Sequence, residues 1–178
     1  MWCRKYLLWG LLECYELTGD EKIIVAAKRS TDQLINMIHD MNVSIRQIGT
    51  FNGIPAASSI KPLLILYRYT DETRYLDFVL EIVKEWERED GAIPNLINNA
   101  LSGRPVHTWY PKSETWAKAY ETMSCLDGLL ELYRVTGEVK YLEPPNPCTV
   151  FYGAMNEQRC SASDSMTYLQ MGKNTSTR

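Results

Sequence analysis

Leu11-Leu12-Glu13-Cys14-Tyr15-Glu16-Leu17-Thr18-Gly19-Asp20-Glu21-Lys22 recurs as Leu63-Leu64-Ile65-Leu66-Tyr67-Arg68-Tyr69-Thr70-Asp71-Glu72-Thr73-Arg74. It recurs again as Leu129-Leu130-Glu131-Leu132-Tyr133-Arg134-Val135-Thr136-Gly137-Glu138-Val139-Lys140, with offsets of 52 and then 66 residues. Each copy sets an apolar run before a Thr-Gly-Asp-like turn and an amphipathic run after it, so the unit is a helical hairpin. Gly19 suits the left-handed residue that ends a helix, and Asp20 can cap the next helix by accepting from its free amides. Asp71 stands in the Gly position of the second copy and still fits a turn.

The run from Lys5 to Leu17 is apolar nearly all the way round, which predicts an inner helix surrounded by others. The run from Glu21 to Ile38 is apolar on one face only, through Ile23, Ile24, Ala27, Leu34, Ile35 and Ile38, and so predicts an outer helix. The second copy repeats this with Tyr75, Leu76, Val79, Val83 and Trp86 inward. Helices are expected at about 5–17, 21–38, 58–70, 72–87 and 119–135, with a short turn near 138–143. Tetratricopeptide arrays repeat at about 34 residues with short connections. Here the outer-to-inner connections, 39–57 and 88–117, are long, and loops of that length are usually functional. The fold class expected is all-α, with the hairpins forming part of an (α/α)6 toroid that is incomplete in this chain.

In the third copy the pattern stops. Pro144 and Pro145 fall where the first two copies continue an outer helix, and an interior proline costs about 3 kcal/mol. Residues 1–143 therefore read as a partial toroid domain. Residues 144–178 read as a divergent, poorly packed tail: a terminal exon, a frame change or a capping segment.

A charge of −3, from 22 acidic and 19 basic residues in 178, sets aside nucleic acid and anionic membranes as partners. Neither a spanning helix nor a signal peptide is apparent, so the chain reads as soluble. The cysteines (Cys3, Cys14, Cys125, Cys148, Cys160) are odd in number and lack a CxxC pair, so they are expected to be free buried thiols and not a zinc knuckle.

Because the short turns share one end of the array, the long loops must meet at the other, beside the N-termini of the inner helices. That end is the expected ligand face. It collects Asn52 from the first loop and Arg104, His107, Trp109, Tyr110, Lys112, Glu114 and Trp116 from the second, with Tyr120 and Glu121 opening the third inner helix. Aromatic faces with a few fixed polar groups suit a carbohydrate. Trp109 and Trp116 either line that pocket or pin the loop to the core. Glu121 is either a pocket carboxylate or a residue favoured by the helix dipole. His39, ending an outer helix, reads as either a favourable C-terminal charge or a solvated side chain. Glu121 and Cys125 lie one turn apart, but two ligands do not make a zinc site, so no metal is assigned to the chain.

The segments Arg4 to Leu12, Gly53-Ile54-Pro55-Ala56-Ala57-Ser58-Ser59, and Lys118-Ala119-Tyr120-Glu121-Thr122-Met123-Ser124-Cys125 leading into Gly128-Leu129-Leu130-Glu131-Leu132-Tyr133-Arg134 resemble glycoside hydrolase family 127. The resemblance covers about residues 1–143. It implies an (α/α)6 toroid acting on β-L-arabinofuranosides, with a zinc-held cysteine nucleophile, a glutamate ligand and a separate glutamate acid/base. The family's Glu-x-Cys motif and adjacent Cys-Cys pair lie later in its chains, beyond the point where this sequence departs; Glu121-Thr122-Met123 offers Met where that motif would need Cys, and Ala56 stands where the better-known members have His. The expectation is a glycoside hydrolase-like fragment that binds sugar through Asn52, His107, Trp109, Tyr110, Trp116, Tyr120 and Glu121 and carries no catalytic set. The alternative is a carbohydrate-binding or helical scaffold protein that self-associates through exposed apolar helix faces.

Overall fold

The structure, a computed structural model, describes residues 1–87, 94–102, 108–109 and 119–144. Among the described residues the chain is all-α, with no strand. Its helices are α1 (Trp2–Thr18), α2 (Glu21–Met41), α3 (Ile54–Ala57), α4 (Ile60–Thr70), α5 (Thr73–Trp86), α6 (Leu96–Leu101) and α7 (Ala119–Thr136), with short 3-10 turns at Ile45–Gln47, Phe51–Gly53 and Val139–Tyr141.

One local device ends each of the three long inner helices. Gly19, Asp71 and Gly137 all take left-handed backbone, with φ of 65°, 55° and 74°. Their amides donate to the carbonyls of Tyr15, Tyr67 and Tyr133 at 2.7–2.8 Å. The hydroxyls of Thr18, Thr70 and Thr136 donate back one turn, to Cys14, Leu66 and Leu132, and accept from the amides of Asp20, Glu72 and Glu138. Asp20 then caps α2 by accepting from the Lys22 amide at 2.9 Å. A four-residue motif thus satisfies carbonyls left open at one helix end and turns the chain into the next.

α4 packs against α1, α5 and α7, and α1 against α2. The inner helices α1, α4 and α7 run the same way. Tyr15 and Tyr69, near the C-terminal ends of α1 and α4, meet edge to face at 5.2 Å, while Lys61–Asp127 and Arg68–Glu131 pair α4 with α7 in register at 2.8 Å. α4 and α7 approach closely at Gly128, where a Cβ would lie 2.9 Å from the Ile60 side chain. The outer helices α2 and α5 are joined by Arg74–Asp32 and His39–Glu81 at 3.0 Å, and by Lys28–Glu72.

The core lies between the two rows. α4 contributes Ile60, Leu63, Leu64 and Leu66, and α5 contributes Tyr75, Phe78, Val79, Ile82, Val83 and Trp86. Each such large apolar side chain adds about 1.5–3 kcal/mol by leaving water. Ile23 and Leu76, expected inward, are only half-buried at the margins of their faces.

Two expectations are corrected. α1 is not enclosed: Lys5, Leu8 and Leu12 are buried, but Leu7 is 52% and Leu17 85% exposed. Among the described residues α2, α3 and α4 pack along it and Tyr120 of α7 meets its opening turn, and the side of Leu7 and Leu17 stays bare. Cys3 and Cys14 are consequently exposed thiols, and only Cys125 of the described cysteines is buried. The long connections also hold structure that periodicity missed. Ser44 and Gln47 form a capping box on the first 3-10 turn, and the Glu87 carboxylate accepts from the amides of Ile97 and Asn98 to start α6. The chain turns at Leu142–Pro144, as the prolines require. The expected character of the remaining tail lies outside the described residues.

Candidate functional site

At the N-terminal ends of α1 and α7 the fold gathers Trp2, Lys5, Tyr6, Tyr120, Glu121 and Cys125 around the start of α4. Lys5 is 1% exposed, and its Nζ donates to Ser58 Oγ at 3.2 Å, whose hydroxyl donates to the Pro55 carbonyl at 2.7 Å. The rings of Trp2, Tyr6 and Tyr120 stand 5.2–5.3 Å from that ammonium, at cation–π range. Trp2 meets both tyrosines edge on, and the Tyr6 and Tyr120 hydroxyls are 2.7 Å apart.

Burial holds the Lys5 ammonium below its ordinary pKa, a shift opposed by Tyr120, Cys125, Glu121 and Asp127. Burial, then the hydrogen bond with Tyr120, pushes Tyr6 up. Cys125 is fully buried with Sγ 3.7 Å from the Ile54 carbonyl, and desolvation drives its thiol far above the ordinary value despite Lys5 nearby. It is a protonated core thiol.

One turn further along, Lys61 Nζ lies 5.3 Å from the Trp9 ring and 2.8 Å from Asp127, while Trp9 Nε1 donates to Glu13 at 2.9 Å. Trp9, Lys61 and Asp127 are the same position of the repeat in its three copies, since parallel helices in register bring equivalent positions side by side. An aromatic face, an ammonium and a carboxylate in one row can stack on a sugar ring and bond its hydroxyls.

Of the expected site residues, the structure brings together Tyr120, which is exposed, and Glu121, which is buried in the first turn of α7. Asn52 sits half-buried in the Phe51–Gly53 turn with left-handed backbone, two residues before the Ile54 carbonyl that faces Cys125. Trp109 is buried in the apolar core. His107, Tyr110 and Trp116 lie outside the described residues, as do Arg104, Lys112 and Glu114. His39 pairs with Glu81 beside a cleft of about 440 Å³ between α2 and α5, lined by Ile38, Val43, Ile45, Phe78 and Ile82, on the outer row.

Sequence reading missed Lys5, Tyr6, Trp9, Lys61 and Asp127. Alignment of the repeats would have found the last three. Lys5 carries no such signal, because nothing local says that a lysine in an apolar run is buried.

Among the described residues no group of three His, Cys, Asp or Glu side chains is placed to hold a metal. Cys125 belongs to no such group, and its Sγ is turned to the Ile54 carbonyl. No helix of the described residues is long and apolar enough to cross a membrane.

The chain matches no protein-family model, no curated protein and no solved structure.

Proposed function

We propose that the chain forms part of the wall of an α/α toroid of the glycoside hydrolase kind, akin to family 127, and binds the sugar of an arabinofuranoside-type plant glycan without cleaving it. The supporting observation is the aromatic group Trp2, Tyr6 and Tyr120 held around Lys5 at the N-terminal ends of parallel inner helices, with Trp9, Lys61 and Asp127 one turn behind. Such a surface offers ring faces and bond partners to a polyhydroxylated ligand. Hydrolysis asks more, because an oxocarbenium-like transition state needs a poised nucleophile and acid. Among the described residues the one buried thiol, Cys125, is kept protonated by desolvation and faces the Ile54 carbonyl.

The test is titration of the purified chain with an L-arabinofuranosyl oligosaccharide, read by tryptophan fluorescence, beside an assay for released L-arabinose with added zinc and reductant. Saturable binding at about millimolar Kd, lost in Tyr120→Ala and without sugar release, is the expected result. No binding in that range would overturn the glycan reading. Arabinose release lost in Cys125→Ser would overturn its non-catalytic part. A helical scaffold that associates with other chains is the second reading, favoured by the bare side of α1.

A further inference from the structure

Seven residues make two helical turns less about 20°, so residues seven apart fall in line along one face of a helix. Trp2, Trp9 and Glu16 stand so on α1, Lys61 and Arg68 on α4, and Tyr120, Asp127 and Arg134 on α7. They are equivalent positions of the repeat. Because the inner helices are parallel and in register, they form three rows across the wall, about 10.5 Å apart. Aromatic rings make the first row, and a ring, an ammonium and a carboxylate make the second. The third has no ring and two guanidiniums.

That third row is charged in a particular way. Arg68 and Arg134 each place Nη1 2.8 Å from one oxygen of Glu131. The Glu131 side chain is 3% exposed, whereas those of the two arginines are 59% and 61% exposed. One cation neutralises a buried carboxylate, so the second leaves a surplus positive charge, and the positive groups are the ones that face water. The negative C-terminal ends of α4 and α7 favour a cation here, but they do not call for two on one acid. Of the acids at this level of α1, Glu13 accepts from Trp9 Nε1 and Glu16 meets the Tyr69 hydroxyl. The surplus therefore stays on the α4–α7 side. With Nη1 spent on Glu131, each guanidinium has Nε and Nη2 to offer, and that planar fork matches the two oxygens of a carboxylate.

We propose that this wall takes an acidic glycan, its uronic-acid carboxylate on Arg68 and Arg134 and its neutral units along the two rows nearer the N-terminal ends. The inference rests on the glycan reading above and adds to it a charge, a direction and a length. The glycan lies along the inner helices and not across their ends, because the rows that can stack on it and the row that can pair with it are in line. From the first row to the third is about 21 Å, the span of a short oligosaccharide and not of a single sugar.

The experiment is a nitrogen-15 NMR titration of the full chain with methyl galactosiduronate and with methyl galactoside, which differ only in a carboxylate for a hydroxymethyl group. The uronate is expected to bind at least about tenfold more tightly, to shift amides near Arg68 and Arg134, and to weaken with added salt. Arg134→Gln leaves Arg68 on Glu131, and Arg68→Gln leaves Arg134 there. Each should bring the uronate down to the affinity of the galactoside, with unchanged far-ultraviolet circular dichroism showing that the fold is retained. A galacturonate-ended arabino-oligosaccharide should bind more tightly than either of its parts, a gain lost in Trp9→Ala.

Equal affinity for the two galactose derivatives, or a preference that survives both arginine substitutions, would overturn the proposal. Inorganic sulfate bound as tightly as the uronate would reduce the arginines to an adventitious anion site and overturn it too. No gain from the longer glycan would overturn the alignment along the wall. The neutral arabinofuranosyl oligosaccharide reports on Tyr120 and the galactoside pair on Arg134, so the two readings fail separately.

Discussion

The hydroxyls of Tyr6 and Tyr120 meet at 2.7 Å although 114 residues separate them, and their bond ties the opening turn of α1 to that of α7. Both side chains stay substantially exposed, at 41% and 54%. Their bond therefore organises the surface more than it stabilises the fold.

Tyr120→Phe should cost less than about 1 kcal/mol, since water can replace the partner. It should also let Tyr6 ionise at lower pH than in the parent, though not at an ordinary phenol's value, because burial is the larger cause of its raised pKa. Phenolate absorbance during an alkaline titration checks this. An unchanged Tyr6 titration would show that the hydroxyl pair is not formed in solution.

Lys5 should reveal itself through the slope of stability with pH. Its folded pKa lies below the unfolded one, so between the two the unfolded chain binds more protons, and stability rises with pH across that window, up to about 10.4. Lys5→Met keeps most of the volume and removes the desolvation cost, so it should be within about 1 kcal/mol of the parent or more stable, and should lose that part of the slope. Urea unfolding of both proteins from neutral to alkaline pH is the measurement. Identical slopes would place Lys5 in water.

The three turns offer a test at equivalent positions. Asp71 holds the left-handed conformation that glycine holds at 19 and 137, so Asp71→Gly should be neutral or gain about 0.5 kcal/mol, while Gly19→Ala and Gly137→Ala should each cost about 1 kcal/mol. Thermal unfolding of the three variants distinguishes these signs. A uniform response would mean that the shared motif does not end the helices in the same way.

Glu131 predicts an acid limb. Its carboxylate is 3% exposed. Burial would raise its pKa, but hydrogen bonds from Arg134 and Arg68 outweigh that and hold it below the ordinary range. The stability it contributes is complete above the unfolded value of about 4.3 and is lost as pH falls through the folded one. Glu131→Gln should cost about 1–2 kcal/mol at neutral pH and much less in acid. Equal cost at both ends of a pH series of denaturant curves would assign the loss to packing.

How far the chain could be read in advance varies residue by residue. Thr18-Gly19-Asp20 and its two copies announced the turns, because a left-handed residue and a capping oxygen act within a few positions of one another. Tyr75, Val79, Val83 and Trp86 announced a buried stripe, because one-sided apolar spacing has one stable solution. Trp9, Lys61 and Asp127 were legible in principle, as one repeat position seen three times. The partner of Tyr6, the burial of Lys5 and the placing of Trp109 in the core were not, since each depends on which distant segment arrives beside it.

α1 marks the division most clearly. Its sequence by itself determined that Leu8 and Leu12 on one side, and Leu7 and Leu17 on the other, would both seek cover, because apolar character belongs to the side chain. Only the tertiary structure decided that α2 and α4 reach the first pair and leave the second in water, because cover is supplied by other helices and their number is not written in the helix that needs them.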